Sequence, residues 1–341
     1  MFISKNDAAL VIGSARGWVH GTATSGNAPY INGKRAVIHR FDPNDTQFAD
    51  ALVSSAVVWL RNAPAPPDHT VTFSFGGSLS KPTLSRAISA ESLKHETKWT
   101  RFPATSQARL HTTEPKLSDF FKIKRGIATG NNKFFILSDE EISKAKLPLM
   151  AFRPILPSPR YIDGDEVQAD SKGNPCLDRK LFVLDPRLPE KEIQQSMPTL
   201  WNYLKAGKEQ GIHETYLCRH RKLWYAQENR PAAPIVCTYL GRSDAKSGRP
   251  FRFLLNHSKA TVANVCPAMY PTPVLAEALA SDKGLIRKVW KVLNQLTPEQ
   301  LLSEGRVYGG GLHKMEPREL ANVSATTIAA LLNETSVKLS A

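Results

Sequence analysis

The chain has 341 residues, 41% of them hydrophobic and 22% charged, with 45 lysines and arginines against 31 acids, a net charge of +14. That length and apolar content exclude a disordered chain and allow two domains with cores of their own. The cationic excess calls for a polyanionic partner, nucleic acid first. The cations are spread through folded-looking sequence rather than gathered in a tail, which argues against a membrane-surface role.

No apolar run reaches membrane-spanning length, and the first residues lack the layout of a signal peptide, so a cytoplasmic protein is expected. The 4 cysteines, Cys176, Cys218, Cys237 and Cys266, show no Cys-x-x-Cys spacing and read as reduced thiols. The nearest approach to a metal set is His213, Cys218 and His220, which would need a fourth ligand such as Cys237.

In chain order, residues 10–12 read as a strand entering a glycine turn at Gly13. Asp42 follows a later strand, but the Gly-x-Gly-x-x-Gly spacing of a dinucleotide fingerprint is absent. Residues 36–39 read as a short strand, 41–45 as a loop, and 51–60 as a strand interrupted only by Ser54 and Ser55, the composition of a strand covered on both faces. Together they suggest the edge of an α/β sheet. Pro64 to Pro67 mark a boundary, and residues 71–75 alternate as a strand. After Trp99, short strands, Gly/Pro/Asn turns and a few helices suggest a separate α+β domain.

Residues 117–121 read as a short helix or turn with Ser118 as its cap. Ser138 and Glu141 form a capping box opening a helix to about Lys146. Residues 181–184, 235–240 and 251–255 read as strands and 189–206 as one helix. Further helices are expected over 273–280, 284–296, from Thr297-Pro298 to Glu304, from Glu316, and from a Ser324 cap to about Leu339.

Three stretches carry candidate chemistry. Residues 121–135 read F-K-I-K-R-G-I-A-T-G-N-N-K-F-F, alternating on both sides of a Thr129-Gly130-Asn131-Asn132 turn, which is a hairpin signal. Lys122, Lys124, Arg125 and Lys133 meet no acid there, and Asn131 and Asn132 have the paired donor and acceptor that read an adenine edge; an ordinary hairpin with a solvated basic face is the alternative. Arg219, Arg221 and Lys222 beside Trp224 and Tyr225 suit phosphate contact with stacking nearby. Gly309, Gly310 and Gly311 allow close backbone approach, so their N–H groups could cradle a phosphate beside Lys314, or could serve helix packing. Arg242 and Lys246 lie in a further turn, Gly241 to Gly248, with Arg249 just after it, equally readable as a solvated loop.

Taken together, these blocks resemble a known family. Phe41-Asp42-Pro43 with residues 47–58, Arg125 to Phe135, Trp224-Tyr225, residues 253–258 (F-L-L-N-H-S) and residues 308–320 (Y-G-G-G-L-H-K-M-E-P-R-E-L) are similar to blocks recurring in this order in adenine-N6 DNA methyltransferases. The subgroup is the TaqI-like amino-methylases of bacterial restriction–modification systems, which carry a C-terminal target-recognition domain. The resemblance covers residue 36 to the end. It implies an α/β remnant of a methyltransferase (Rossmann-like) sheet in residues 1–66, followed by an α+β target-recognition domain in residues 67–341.

The family's Asn/Asp-Pro-Pro-Tyr/Phe tetrad is missing. The one Pro-Pro pair, Pro66-Pro67, is preceded by Ala65 and followed by Asp68. That tetrad holds the hydrogens of a flipped adenine's amino group and stacks on its ring. The resemblance therefore implies the C-terminal half of such an enzyme, as a split subunit, a truncated product or a fragment, with no catalytic residue of its own. S-adenosylmethionine would be the cofactor of the complete enzyme and not be bound by this chain alone. The partners implied are double-stranded DNA and a separate N-terminal catalytic half. Phe48, or else Phe41, would pack against the extruded base, although a core role is equally open for Phe48. Arg125, Lys133, Arg219, Arg221, Arg242 and Lys314 would anchor phosphates. The competing reading is a stand-alone basic nucleic-acid-binding protein without enzymatic activity. A metal nuclease lacks support, because Asp163, Asp165 and Glu166 have no closely following lysine.

Overall fold

The computed structural model describes residues 9–14, 36–45, 47–48, 54–60, 68–94, 96, 99–104, 114–242, 249–308 and 312–339. The chain divides into two compact units, the first of Met1–Glu114, Gly241–Pro250 and Pro298–Lys314, the second of Pro115–Leu240, Phe251–Thr297 and Met315–Ala341.

In the first unit β1 (Ala9–Ser14), β2 (Ala36–Arg40), β3 (Ser55–Leu60), β4 (Thr70–Gly77) and β5 (Pro82–Ser89) form a five-stranded sheet in the order β1-β3-β2-β4-β5. β2 runs parallel to β4, with Ala36 opposite Val71, and the other pairs are antiparallel. β1 continues through Gly13, which pairs with Ala56, so the glycine turn expected there is strand. β3 is buried from Ser55 to Val58, as its low polarity requires. Val71 and Phe73, two apart and so on one face of β4, pack with Ile38, Val58, Ile88, Leu93 and Phe102, and Trp99 covers the cluster. Burying a phenylalanine such as Phe73 contributes about 2–3 kcal/mol. The boundary expected after residue 66 falls between β3 and β4, strands of one sheet, and the unit continues to Glu114. The face of β4 completes a core begun by β2 and β3, so the proline-rich stretch joins strands and not domains.

The second unit contains β6 (Phe121–Arg125), β7 (Ile136–Ser138), β8 (Phe152–Leu156), β9 (Glu166–Val167), β10 (Leu181–Leu184) and β11 (Ile235–Cys237). The chain leaves it through β12 (Leu240–Arg242) and returns for β13 (Phe253–Asn256), β14 (Thr261–Val262) and β15 (Pro267–Pro271). One sheet has the order β14-β8-β10-β7, the other β6-β15-β11-β13-β9. Both are mixed: β14 lies parallel to β8 and β9 parallel to β13, while the rest are antiparallel.

The hairpin expected over residues 121–137 does not form. β6 pairs with β15 and β7 with β10, in different sheets, and a helical turn, Asn132–Phe135, stands between them. Phe134 and Phe135 are both buried. Consecutive residues of a strand face opposite ways, so a ribbon open to water on one side could not bury both, whereas a helical turn does.

The helix expected over residues 189–206 is two, Glu190–Ser196 and Pro198–Glu209, because Pro198 has no N–H to continue the first and is at home only in the first turn of the second. In helix Leu117–Phe120 the cap is Lys116 rather than Ser118, its N–H donating to the Asp119 carboxylate at 2.8 Å. The Ser138–Glu141 capping box opens Asp139–Lys144 as expected, and helices occur at Pro273–Ser281, Leu285–Asn294, Pro298–Glu304, Pro317–Ala321 and Thr326–Leu339. In Leu285–Asn294 the buried residues Leu285, Val289 and Leu293 recur every fourth position, one stripe of a helix. Trp290 and Asn294 on it donate to the Phe253 carbonyl at 2.7 and 3.2 Å, fixing the helix to β13. Helix Pro298–Glu304 and the pair β16 (Arg306–Val307) and β17 (Leu312–Lys314) belong to the first unit. No described helix is long and apolar enough to cross a membrane.

Candidate nucleic-acid interface

The second unit builds an exposed loop from the Arg125–Phe135 stretch, and each residue of the motif has a local cause. Arg125 ends β6. Its guanidinium donates to the Glu316 carboxylate at 2.7 Å and to the Tyr239 hydroxyl, and lies 5.0 Å from the Tyr239 ring centroid. The Glu316 hydrogen bond is the largest influence holding this guanidinium more firmly protonated than usual. Gly126 must be glycine because a Cβ there would stand 2.3 Å from the Ala263 carbonyl oxygen and 2.4 Å from that of Val262. The close approach lets Ile127 donate to the Val262 carbonyl and accept from Asn264, both at 2.8 Å, with Ile127 fully buried. Thr129 is buried and donates to the Asn132 side-chain oxygen at 2.6 Å. Gly130 has φ +90, the left-handed region, and a Cβ there would meet Cys218 Sγ and Thr215 Oγ1 at 3.2 Å. Asn131 caps the helical turn, its oxygen accepting from the Phe134 N–H at 3.0 Å.

Beneath this loop lies the 212–225 segment. Arg221 is half-buried and donates to the carbonyls of Ala128 at 2.7 Å and Thr129 at 3.0 Å. Burial pushes its guanidinium below its ordinary value. The buried Cys218 thiol donates to the Thr129 carbonyl at 3.7 Å. Phe134 stacks on Tyr203 at 4.6 Å and meets Trp224 at 5.9 Å, and the Tyr203 hydroxyl donates to the Phe134 carbonyl at 2.6 Å. Tyr225 is fully buried and donates to the Leu188 carbonyl at 2.6 Å. Above this base, Gly130, Asn132 and Lys133 are exposed, as are Tyr216, Leu217, Arg219 and His220 on and beside helix Tyr216–Arg219. Arg219 lies over the Tyr216 ring at 5.4 Å, and Tyr216 is 68% exposed. Neither Lys133 nor Arg219 has an acidic partner within ion-pair reach among the described residues. The result is a platform, held from below by hydrogen bonds and ring packing, that offers an amide, two cations and an aromatic ring.

The structure therefore sorts the residues singled out in the sequence. It brings together Thr129, Gly130, Asn131, Asn132, Lys133, Arg219 and Arg221. Within that group Arg221, Thr129 and Asn131 hold the loop, while Asn132, Lys133 and Arg219 face outward. Trp224 and Tyr225, expected near stacked bases, are packing residues under the loop. Arg125 already has a carboxylate. Arg242 is exposed in β12, and Lys314 ends β17 opposite Arg306; these two lie in the first unit. Gly309, Gly310 and Gly311 lie outside the described residues. Phe48 is 38% exposed, so it is not a core residue, and Phe41 sets its ring edge-on to His39 at 4.8 Å. Among the described residues no group of three or more His, Cys, Asp or Glu is placed to hold a metal; the His220 ring bonds the Tyr216 carbonyl and Cys218 the Thr129 carbonyl. Tyr216 is not among the residues expected from the sequence; its signal there is an aromatic three residues before Arg219, on the same face of a helix.

The Arg125–Glu316 pair joins two blocks of the family resemblance that lie 191 residues apart. A third block supplies Asn256, whose buried amide donates to the Ala233 and Ala260 carbonyls at 3.2 and 3.1 Å. The chain belongs to the family described as "Type II methyltransferase M.Eco57I, C-terminal domain", which it matches over residues 97–340. It is 23% identical over 295 residues to the Type II methyltransferase M.XamI of Xanthomonas campestris pv. amaranthicola, covering 86% of this chain and 52% of that protein. It is likewise 23% identical over 246 residues to the Type II methyltransferase M.AccI of Acinetobacter calcoaceticus, covering 72% and 42%. The chain thus spans about half the length of the curated relatives it matches. Among solved structures it is similar, at TM-score 0.44 and 12% identity over 82% of this chain and 35% of the other, to the Type IIL restriction-modification enzyme MmeI in complex with DNA.

Proposed function

We propose that the chain recognises a short sequence in double-stranded DNA for a site-specific adenine-N6 methyltransferase of a restriction–modification system. The observation that carries the reading is the pinned platform of the second unit, where Asn132, Lys133, Tyr216 and Arg219 face outward from a base fixed by Arg221 and the Asn131 cap. Lys133 and Arg219 suit phosphate oxygens, and the Asn132 amide suits an adenine edge. The net charge of +14 supplies the sequence-independent attraction, and membership of a Type II methyltransferase family supplies the context.

Methyl transfer itself needs groups these residues do not provide. The described residues contain no Asn/Asp-Pro-Pro-Tyr/Phe tetrad, so the oxygens that hold an adenine amino group are lacking and no chemical step is assigned to this chain. In this reading the catalytic groups and S-adenosylmethionine belong to an N-terminal catalytic half, and the first unit supplies the sheet strands next to it.

The test is selection of bound duplexes from a random-sequence pool by the purified chain at physiological salt. Enrichment of one short adenine-containing word is the expected outcome. Binding without enrichment would replace this reading with that of a non-specific nucleic-acid-binding protein.

A further inference from the structure

A second cationic feature of the same unit lies outside the platform. Residues 158–165 form a loop that carries Tyr161, 47% exposed, at its surface. The Arg160 and Arg179 guanidinium carbons lie 4.6 and 4.7 Å from the centre of that one ring. Both arginines are exposed, and neither forms an ion pair or donates a hydrogen bond among the described residues; the neighbouring acids Asp163 and Asp178 pair with neither.

The loop is braced from below. Arg252 donates to the carbonyls of Pro159 and Ile162, each at 3.1 Å, to the Gly164 carbonyl, and to the Asp165 carboxylate at 2.7 Å. Ile162 is 3% exposed and anchors the turn in the core. Long surface arginines usually lose side-chain entropy when they bind. These two are already gathered on a ring whose backbone is fixed. Two like charges sharing one ring with no acid between them repel each other, and an anion relieves that repulsion. Each guanidinium keeps its five N–H donors for an outside acceptor, in the fork that matches a phosphate.

The geometry points to Arg160, Tyr161 and Arg179 as a clamp on the phosphate backbone of duplex DNA, outside the base-reading contacts. With its ring engaged by two cations, the site offers charge and donors rather than a bare stacking face, so it positions the duplex and carries no sequence preference. This rests on the DNA-recognition reading above.

The test measures binding of the full chain to its selected duplex and to a scrambled one across a salt series, for the natural protein and for R160Q/R179Q, R160K/R179K and Y161A. The double glutamine variant is expected to lower the slope of log affinity against log salt by about two units, in proportion to two lost phosphate contacts. Its preference for the selected word and its melting temperature should stay unchanged. The lysine pair should retain most of the slope, and Y161A should weaken binding to both duplexes alike. An unchanged slope in the glutamine variant overturns the clamp while leaving the recognition reading standing. A changed preference would assign these residues to base reading and overturn the phosphate assignment. Failure of the natural protein to bind either duplex would overturn the recognition reading, and the clamp with it.

Discussion

Asn131 and Asn132 are neighbours of identical chemistry with opposite surroundings. The Asn131 oxygen is taken by the Phe134 N–H, and its replacement by alanine leaves that donor only its longer bond to the residue 131 backbone carbonyl, 3.2 Å. Asn131→Ala is expected to cost about 1 kcal/mol, a fall of roughly 2–4 °C in melting temperature, while Asn131→Asp retains stability because an aspartate caps as well. Asn132 is exposed and takes only the Thr129 hydroxyl. Asn132→Ala takes the acceptor from the buried Thr129 hydroxyl, so it too should lower melting by a few degrees, but it alone should relax the preference for one DNA word, read by repeating the duplex selection. Equal effects of the two substitutions in both assays would refute this division. A side chain's composition announces what it can bond; whether it is free to do so depends on which backbone donor the chain brings within 3 Å.

Helix Pro198–Glu209 shows the same dependence one level up. Leu200, Leu204 and Gly207 face inward from it. A Cβ at Gly207 would stand 2.5 Å from Phe134 Cζ and 3.1 Å from Trp224. Phe134 cannot yield easily, because its ring is stacked on Tyr203 and its backbone follows the Asn131 cap. Alanine is the better helix former by about 1 kcal/mol, yet Gly207→Ala should destabilise by about 1–3 kcal/mol through overpacking. It should also weaken DNA binding by displacing the loop that Phe134 supports. Thermal melting and binding to the selected duplex check both, and a stabilised variant would show that the helix and loop are not packed as described.

At the scale of the whole second unit, elements distant in sequence are tied by ion pairs whose loss is readable by pH. Glu166, beside β13, receives two hydrogen bonds from Arg287, one at 2.7 Å, and lies 2.8 Å from the His257 ring. Arg287 is the chief cause that pushes the Glu166 carboxyl down to about 2 from its ordinary 4.5. A depressed carboxylate adds stability that is complete above the unfolded value and disappears as pH falls through the folded one. The melting difference between the natural protein and Glu166→Gln should therefore be constant above about pH 5 and shrink between 4.5 and 2. Because Arg287 is 46% exposed, added salt should reduce that difference as well. A pH-independent difference would return the cluster to a solvated surface pair.

Local chemistry was readable from the chain itself. The Ser138–Glu141 capping box, the prolines opening helices at Pro273, Pro298 and Pro317, and the doubly covered β3 all follow from residues adjacent in sequence. So did the cationic balance and the blocks that place the chain in its family. What tertiary structure alone decided involves partners far along the chain. Residues 121–137 alternate as a hairpin would, but β15 and β10 compete for the two strands, and burial of both Phe134 and Phe135 favours a helical turn between them. Arg125 and Arg221 read as phosphate ligands until Glu316 and the Ala128 and Thr129 carbonyls arrive to occupy them. The clamp of Arg160 and Arg179 on Tyr161 is set by Arg252, 90 residues or so away, which braces the loop. Hydrogen-bonding capacity is a property of a residue, but its availability is a property of the fold, because a buried carbonyl left unpaired costs more than a surface contact returns.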